Sequence, residues 1–163
     1  KILRGLLREG VPIRDLGLIL EAIVDAGPNR DPDIVTEQVR GRLSRTITRS
    51  FCENGQMRVV TLDAEVEKKI LSALTKNDQG VYLALSPDVM QQIMAQLGEL
   101  RKKFQELSQT PIVLTSQVIR VYLSRMITQF YPDFYVLSFS EITSNVQIQA
   151  IGNITLQPQQ TQP

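Results

Sequence analysis

The sequence predicts an α/β fold: a small, mostly parallel sheet flanked by helices, with an α-helical subdomain in front of it. Three observations carry this. First, residues 111–142, PIVLTSQVIRVYLSRMITQFYPDFYVLSFSEI, read as strand, helix, strand. Ile112, Val113 and Leu114 form a short apolar run; Ile119, Leu123, Met126, Ile127 and Phe130 then recur at helical spacing. Pro132 stops that helix, and the apolar run 135–139 follows. Two buried strands joined by a helix make a βαβ unit with parallel strands. Second, the same order of strand, cap and helix recurs upstream, at 59–62 with Asp63 and at 81–85 with Ser86-Pro87. Third, before residue 55 every apolar pattern is helical.

Each element follows in order. Ile2, Leu3, Leu6 and Leu7 predict a helix over 1–9, ended by Gly10. Ile13, Leu16, Ile19, Leu20 and Ile23 share one face of a helix over 14–26, which Gly27-Pro28-Asn29 breaks. A third helix, 33–52, opens at Asp31-Pro32 and carries the ladder Val35, Val39, Leu43, Ile47 and Phe51. Asn54-Gly55 is a turn signal, and strand 57–62 follows. Helices are predicted over 64–75, 87–107 and 117–131, and strands over 81–85, 112–115, 134–139 and 146–150. Gly152 marks a bulge or bend. The expected organisation is a helical subdomain over 1–54, an α/β subdomain over 55–156 and a polar tail over 157–163.

Composition limits the function. Hydrophobic residues are 42% and charged residues 21%, enough to bury a core. The net charge of +1 argues against a general nucleic-acid binder. No apolar run approaches the ~18 residues of a membrane span. No signal peptide is evident. The chain begins at Lys1 with an uncapped helix, which reads as a piece of a longer protein.

Little of the sequence suggests bond chemistry. There is no histidine, which removes the usual base near neutral pH and most zinc sites. The single Cys52 stands beside Glu53, and the sequence places no activating base or cation next to it. No cofactor and no metal is expected. Asp63, Ser86 and Ser116 read as helix caps along one sheet edge, where α/β folds bind ligands. The turns there lack the glycines that let backbone approach a phosphate. An anion-binding domain or small enzyme using that edge is therefore the rival reading. The remaining candidates are arginines. Arg42, Arg45 and Arg49 share one polar side of the third helix. Arg40 projects inside its apolar arc, so it needs an acidic or carbonyl partner. That partner is Asp15, Glu21 or Asp25 on the second helix, or an acid on a neighbouring subunit.

The stretches LLREGVPIRDLGLILEAIVDAG, TEQVRGRLSRTI, PIVLT with YPDFYVLSFSEI, and VQIQAIGNI together resemble the FlhA-type export-gate proteins of flagellar and virulence type III secretion systems. The resemblance covers nearly the whole chain except the glutamine-rich tail. It implies a non-enzymatic part of a membrane-anchored parent, on the cytoplasmic face of the bacterial inner membrane. The parent's cytoplasmic domain has four subdomains, of which this chain holds the last two. Such domains assemble as a ring, typically of nine subunits, that docks export substrates and their chaperones. The principal chaperone pocket lies in the first two subdomains and is absent here. The helical subdomain contributes ring contacts in that family. Arg14, Asp15, Glu37 and Arg40 match its motifs and become candidates for ring-contact or structural roles, alongside Arg42, Arg45 and Arg49. The flagellar branch is favoured over the virulence branch.

Overall fold

A computed structural model describes residues 1–28 and 30–157. Asn29 and the tail beyond residue 157 lie outside the described residues. The helices are α1 (Ile2–Arg8), α2 (Leu16–Ala26), α3 (Pro32–Arg42), α4 (Ser44–Phe51), α5 (Ala64–Ser72), α6 (Pro87–Glu106) and α7 (Arg120–Phe130). The strands are β1 (Gln56–Leu62), β2 (Leu74–Asn77), β3 (Gly80–Leu83), β4 (Ile112–Thr115), β5 (Tyr135–Ser138) and β6 (Gln147–Ile154). A 3-10 turn, Phe139–Glu141, follows β5. Among the described residues no helix is long and apolar enough to cross a membrane.

The main sheet has the order β5-β4-β1-β6, and every pair in it is parallel. The βαβ unit is present as the pattern predicts: Ile112 pairs with Tyr135 and Thr115 with Ser138, with α7 as the crossover. Alternation along the strands sends side chains to two cores. Val60, Val113 and Val136 face α5, α6 and α7, where Ile70, Ile93, Leu97, Phe104, Leu123 and Ile127 are fully buried. Met57, Val59, Ile112, Leu114 and Leu137 face α1–α4, joining Leu6, Ile19, Val39, Leu43 and Ile47. The helical segment thus covers one face of the sheet directly.

Four expectations need correction. The predicted 33–52 helix is two helices, broken at Leu43. Its N–H bonds both Arg40 O (3.0 Å) and Val39 O (3.1 Å), a tightened turn that ends α3. With the break between them, Arg40 and Thr48 both reach Glu141. Next, the 81–85 strand does not join the parallel sheet. As β3 it pairs antiparallel with β2, whose residues the sequence assigned to the end of a helix or to a loop. The overlooked signal is Asn77-Asp78-Gln79-Gly80: Asn77 Oδ1 accepts from the Gln79 N–H at 2.8 Å, and Gly80 takes φ +124°. Third, α7 starts at Arg120, and Ser116 is not its cap; the Ser116 N–H donates to Glu67 Oε1 at 3.1 Å instead. Last, β6 runs to Ile154, beyond the predicted 150. Its bulge opposite Val59 and Val60 brings Gly152 against Leu100, where a Cβ would lie 2.3 Å from Leu100 Cδ2.

Candidate functional site

Two fully buried arginines organise the junction between the helical layer and the sheet. Arg40 on α3 forks onto Glu141, with Nε 2.6 Å from Oε1 and Nη2 2.9 Å from Oε2. Its Nη1 donates to Glu9 Oε2 at 2.8 Å. The partners expected on α2 are therefore wrong. Asp25 holds Arg42 (2.6 Å), and Asp15 accepts from the Thr46 hydroxyl (3.1 Å). The real partners are distant in sequence, and helical periodicity carries no information about them.

Arg120, the first residue of α7, completes the cluster. Its Nε donates to both Glu37 oxygens, at 2.9 and 3.0 Å. Nη1 reaches Glu9 Oε1 (3.2 Å) and the Val136 carbonyl (3.1 Å), and Nη2 reaches Glu9 Oε2 (3.1 Å). The Ser124 hydroxyl donates to Glu9 Oε1 at 3.0 Å. Glu141 Oε2 also accepts the Ser138 N–H (3.2 Å). Sequence reasoning missed Arg120, although a signal was available: it stands three residues before Leu123 and seven before Ile127, inside the apolar arc.

Three carboxylates face two guanidiniums, so the cluster has one acid in excess. The acids respond differently. Burial pushes the Glu37 carboxyl up, and the Arg120 hydrogen bonds and charge do not fully offset it. Burial also pushes Glu9 up, but the charges of Arg120 and Arg40 and the hydrogen bonds from Arg120 and Ser124 outweigh it and hold Glu9 below the ordinary value. Arg120 is desolvated, yet its hydrogen bond to Glu37 and the surrounding acids raise its pKa, so it stays charged. Arg40 and Arg120, with no exposed surface, hold layers together, whereas Glu9 keeps 23% of its side chain exposed.

The other candidates lie at the surface. Arg45 and Arg49, one turn apart on α4, are exposed and have no acidic partner among the described residues. They line an open cleft of about 760 Å³, with Thr48, Cys52, Gly55 and the loop 143–146. The break at Leu43 separates Arg42 from this pair. Arg14 is exposed just before α2. Along α2, Leu16, Leu20 and Val24 are 48%, 56% and 76% exposed, with Glu21 and Asp25 beside them.

Of the row expected at the sheet edge, Asp63 and Ser116 stand side by side after the adjacent parallel strands β1 and β4, and Ser86 does not join them. Asp63 follows β1, but Ser86 follows the β2–β3 hairpin and caps α6 through the Val89 N–H. Ser116 is engaged with Glu67. Among the described residues no group of three or more His, Cys, Asp or Glu could hold a metal ion.

Residues 1–147 match the model of the FHIPEP family. The chain is 35% identical over 158 residues to the flagellar biosynthesis protein FlhA of Bacillus subtilis, covering 96% of this chain and 23% of that protein. It is 33% identical over 159 residues to the low calcium response locus protein D of Yersinia pestis, covering 96% and 22%. Flagellar and virulence relatives thus stand at similar identity, and the comparison does not favour the flagellar branch. The solved CdsV protein of Chlamydia pneumoniae superposes with a TM-score of 0.84 at 33% identity, over 94% of this chain and 45% of that one. The nonameric SctV-C of enteropathogenic Escherichia coli (EPEC) gives 0.81 at 30%, over 94% and 46%. The chain therefore spans about a quarter of its curated relatives and just under half of these solved chains.

Proposed function

The chain belongs to the FHIPEP family of type III secretion export-gate components, and on that premise we propose that it supplies subunit contacts of an export-gate ring. The parent is then an inner-membrane protein with this part on the cytoplasmic face. It docks export substrates and chaperones mainly through segments outside this chain, and these residues make and break no covalent bonds. The helical part, 1–54, is the contact-bearing unit and the α/β part, 55–156, its platform.

The observation that carries the reading is the exposed Arg45/Arg49 pair, lining a cleft with no acid of its own. A closed ring of one chain repeats a heterologous contact, so each subunit presents two different, complementary patches. The cationic cleft is one. The α2 face is the other: Leu16, Leu20 and Val24 supply apolar area, and Glu21 supplies charge. SctV-C, a relative, is solved as a nonamer, which supports a ring of nine here. CdsV has been solved in complex with CdsO, which supports binding of other secretion-system proteins. The shared family does not depend on branch, so both flagellar and injectisome settings fit.

The experiment is charge reversal in the parent's whole cytoplasmic domain. Arg45→Glu with Arg49→Glu should abolish rings in analytical ultracentrifugation while leaving the thermal midpoint unchanged, and Glu21→Arg should restore them in part. Intact rings in the double variant would refute the contact. Turnover on generic ester or phosphate substrates that vanishes with Asp63→Ala would refute the absence of chemistry.

A further inference from the structure

β6 ends the main sheet, and among the described residues no strand pairs with its outer side. Gln147 donates its N–H inward, to Gly55 O at 2.9 Å. By the alternation of a parallel ladder, Ile148 and Ala150 turn their main-chain N–H and C=O groups outward. All four residues of 147–150 are exposed, and Ile148 is 41% so. Edges of this kind are normally guarded by lysine, proline or a covering element. Here lysine and proline are missing: from Ile142 to its end the sequence holds no charged residue, and β6 holds no proline. Only the bulge beyond Ala150 limits the flat stretch, leaving two outward residues.

We infer that the 147–150 edge of β6 accepts an extended, uncharged segment of an export substrate by strand addition. This rests on the export-gate reading. The complementarity is that of a row of main-chain donors and acceptors, which only another extended main chain matches. β6 carries no charge of its own, and Arg58 on β1 donates its Nε to Gln149 Oε1 at 3.4 Å, which disfavours a basic segment and leaves a neutral one acceptable. Main-chain recognition is indifferent to side-chain sequence, which suits a gate that handles many chains, and two outward residues hold a passing chain weakly enough to release it. Next to β6 the molecule already holds extended backbone, there through glutamine side chains. Gln96 on α6 donates to Thr155 O (2.7 Å) and accepts the Thr155 N–H (3.0 Å), and Gln92 accepts the Gln157 N–H (2.9 Å). A second copy fits less well. Pairing of this edge with itself is two-fold, and the odd ring proposed above leaves one subunit unmatched.

The test is a magnetic resonance titration of the isotope-labelled 163-residue chain with an uncharged synthetic peptide of alternating Thr and Val, and with the same peptide N-methylated at alternate residues. The expected result is saturable shifts at the Ile148 and Ala150 amides with the first peptide and none with the second. Ala150→Pro removes an outward N–H and leaves the inward ladder intact, so it should weaken binding about tenfold with β6–β1 hydrogen exchange unchanged. Ile148→Lys, a natural edge guard, serves as the second variant. Equal binding of the methylated peptide, or of both variants, overturns the inference, as does no binding at all. So does concentration-dependent pairing of the chain through β6. In the full-length parent both variants should slow export of two unrelated substrates with rings intact. Lost peptide binding with export unchanged overturns the substrate assignment alone, whereas lost rings would implicate the assembly reading.

Discussion

Arg120→Ala is the change with the largest calculable effect. Arg120 is fully buried and donates to both oxygens of Glu37, both of Glu9, and the Val136 carbonyl. Removing it leaves two carboxylates facing Arg40 alone, with Glu37 stripped of its direct cation. Breaking a buried ionic network by deleting one partner costs about 3–5 kcal/mol. A domain of this size is stable by about 5–15 kcal/mol, so that loss is a large part of the whole. At about 2–4 °C per kcal/mol, the midpoint should fall by about 6–20 °C. Arg120→Lys should lose much of the same amount, because a point charge cannot fork onto Glu37 and reach Glu9 together. Adding Glu37→Gln to Arg120→Ala should recover part of the loss, since it removes one stranded charge. Urea unfolding of the four proteins measures all of this. A loss of about 1 kcal/mol or less, the range of an exposed pair such as Arg42–Asp25, would refute the claim that the cluster joins the layers.

The two acids should part in their pH dependence. Glu37 has a raised pKa, so the folded state holds its proton more tightly, and stability falls as pH rises from the ordinary carboxylate value through the raised one. Glu9 has a lowered pKa, so its stabilisation is present above the ordinary value and lost as pH falls through the lowered one. Accordingly Glu37→Gln should cost less than Glu9→Gln at neutral pH, and Glu9→Gln should flatten the acid limb of a urea-midpoint profile; the reverse ranking refutes the assignment. Gly152→Ala should destabilise by about 1–3 kcal/mol, because the new Cβ meets Leu100 Cδ2 at 2.3 Å, and adding Leu100→Ala should relieve that clash in a thermal melt.

The sequence made the βαβ core legible because its strands are buried on both faces and flank a strongly periodic helix: Ile112, Val113 and Leu114 are all at most 2% exposed. It hid the β2–β3 hairpin because that sheet has little apolar burial to announce it; Lys76, Asn77 and Tyr82 face solvent. Local polarity predicts a helix end and a loop there, while turn chemistry decides the structure. It hid the break at Leu43 for the opposite reason. Leu43 and Ile47 keep helical spacing across the break, so the pattern is continuous where the backbone is not. At the site, periodicity exposed Arg40 as misplaced in an apolar arc and, applied equally, would have exposed Arg120. It could not name Glu9, Glu37 and Glu141 as their partners, since these contacts span up to 111 residues.

What the ionic cluster adds to the fold is direction. The apolar face of α1–α4 would pack on Met57, Val59, Ile112, Leu114 and Leu137 in several orientations at similar cost, because hydrophobic burial is non-directional. Two forked guanidiniums admit far fewer orientations. Arg40 fixes α3 on Glu141 beyond β5, Arg120 fixes α7 on α3 through Glu37, and both fix α1 through Glu9. Thr48, accepting the Thr143 N–H at 3.1 Å and donating to Glu141 O at 2.9 Å, carries the constraint into α4 and the loop before β6. Arg45 and Arg49 flank Thr48 on α4, and β6 begins four residues after Thr143. The proposed ring cleft and the proposed peptide edge therefore stand on opposite ends of one short, hydrogen-bonded path. A subunit contact that pulls on α4 would act on the position of β6 through Thr48 and Thr143, and Thr48→Val, which keeps the shape and removes both bonds, should uncouple them. Rings should then still form, while hydrogen exchange at Gln147 should no longer slow on assembly. Exchange at Gln147 that responds to ring formation equally in both proteins would refute the coupling.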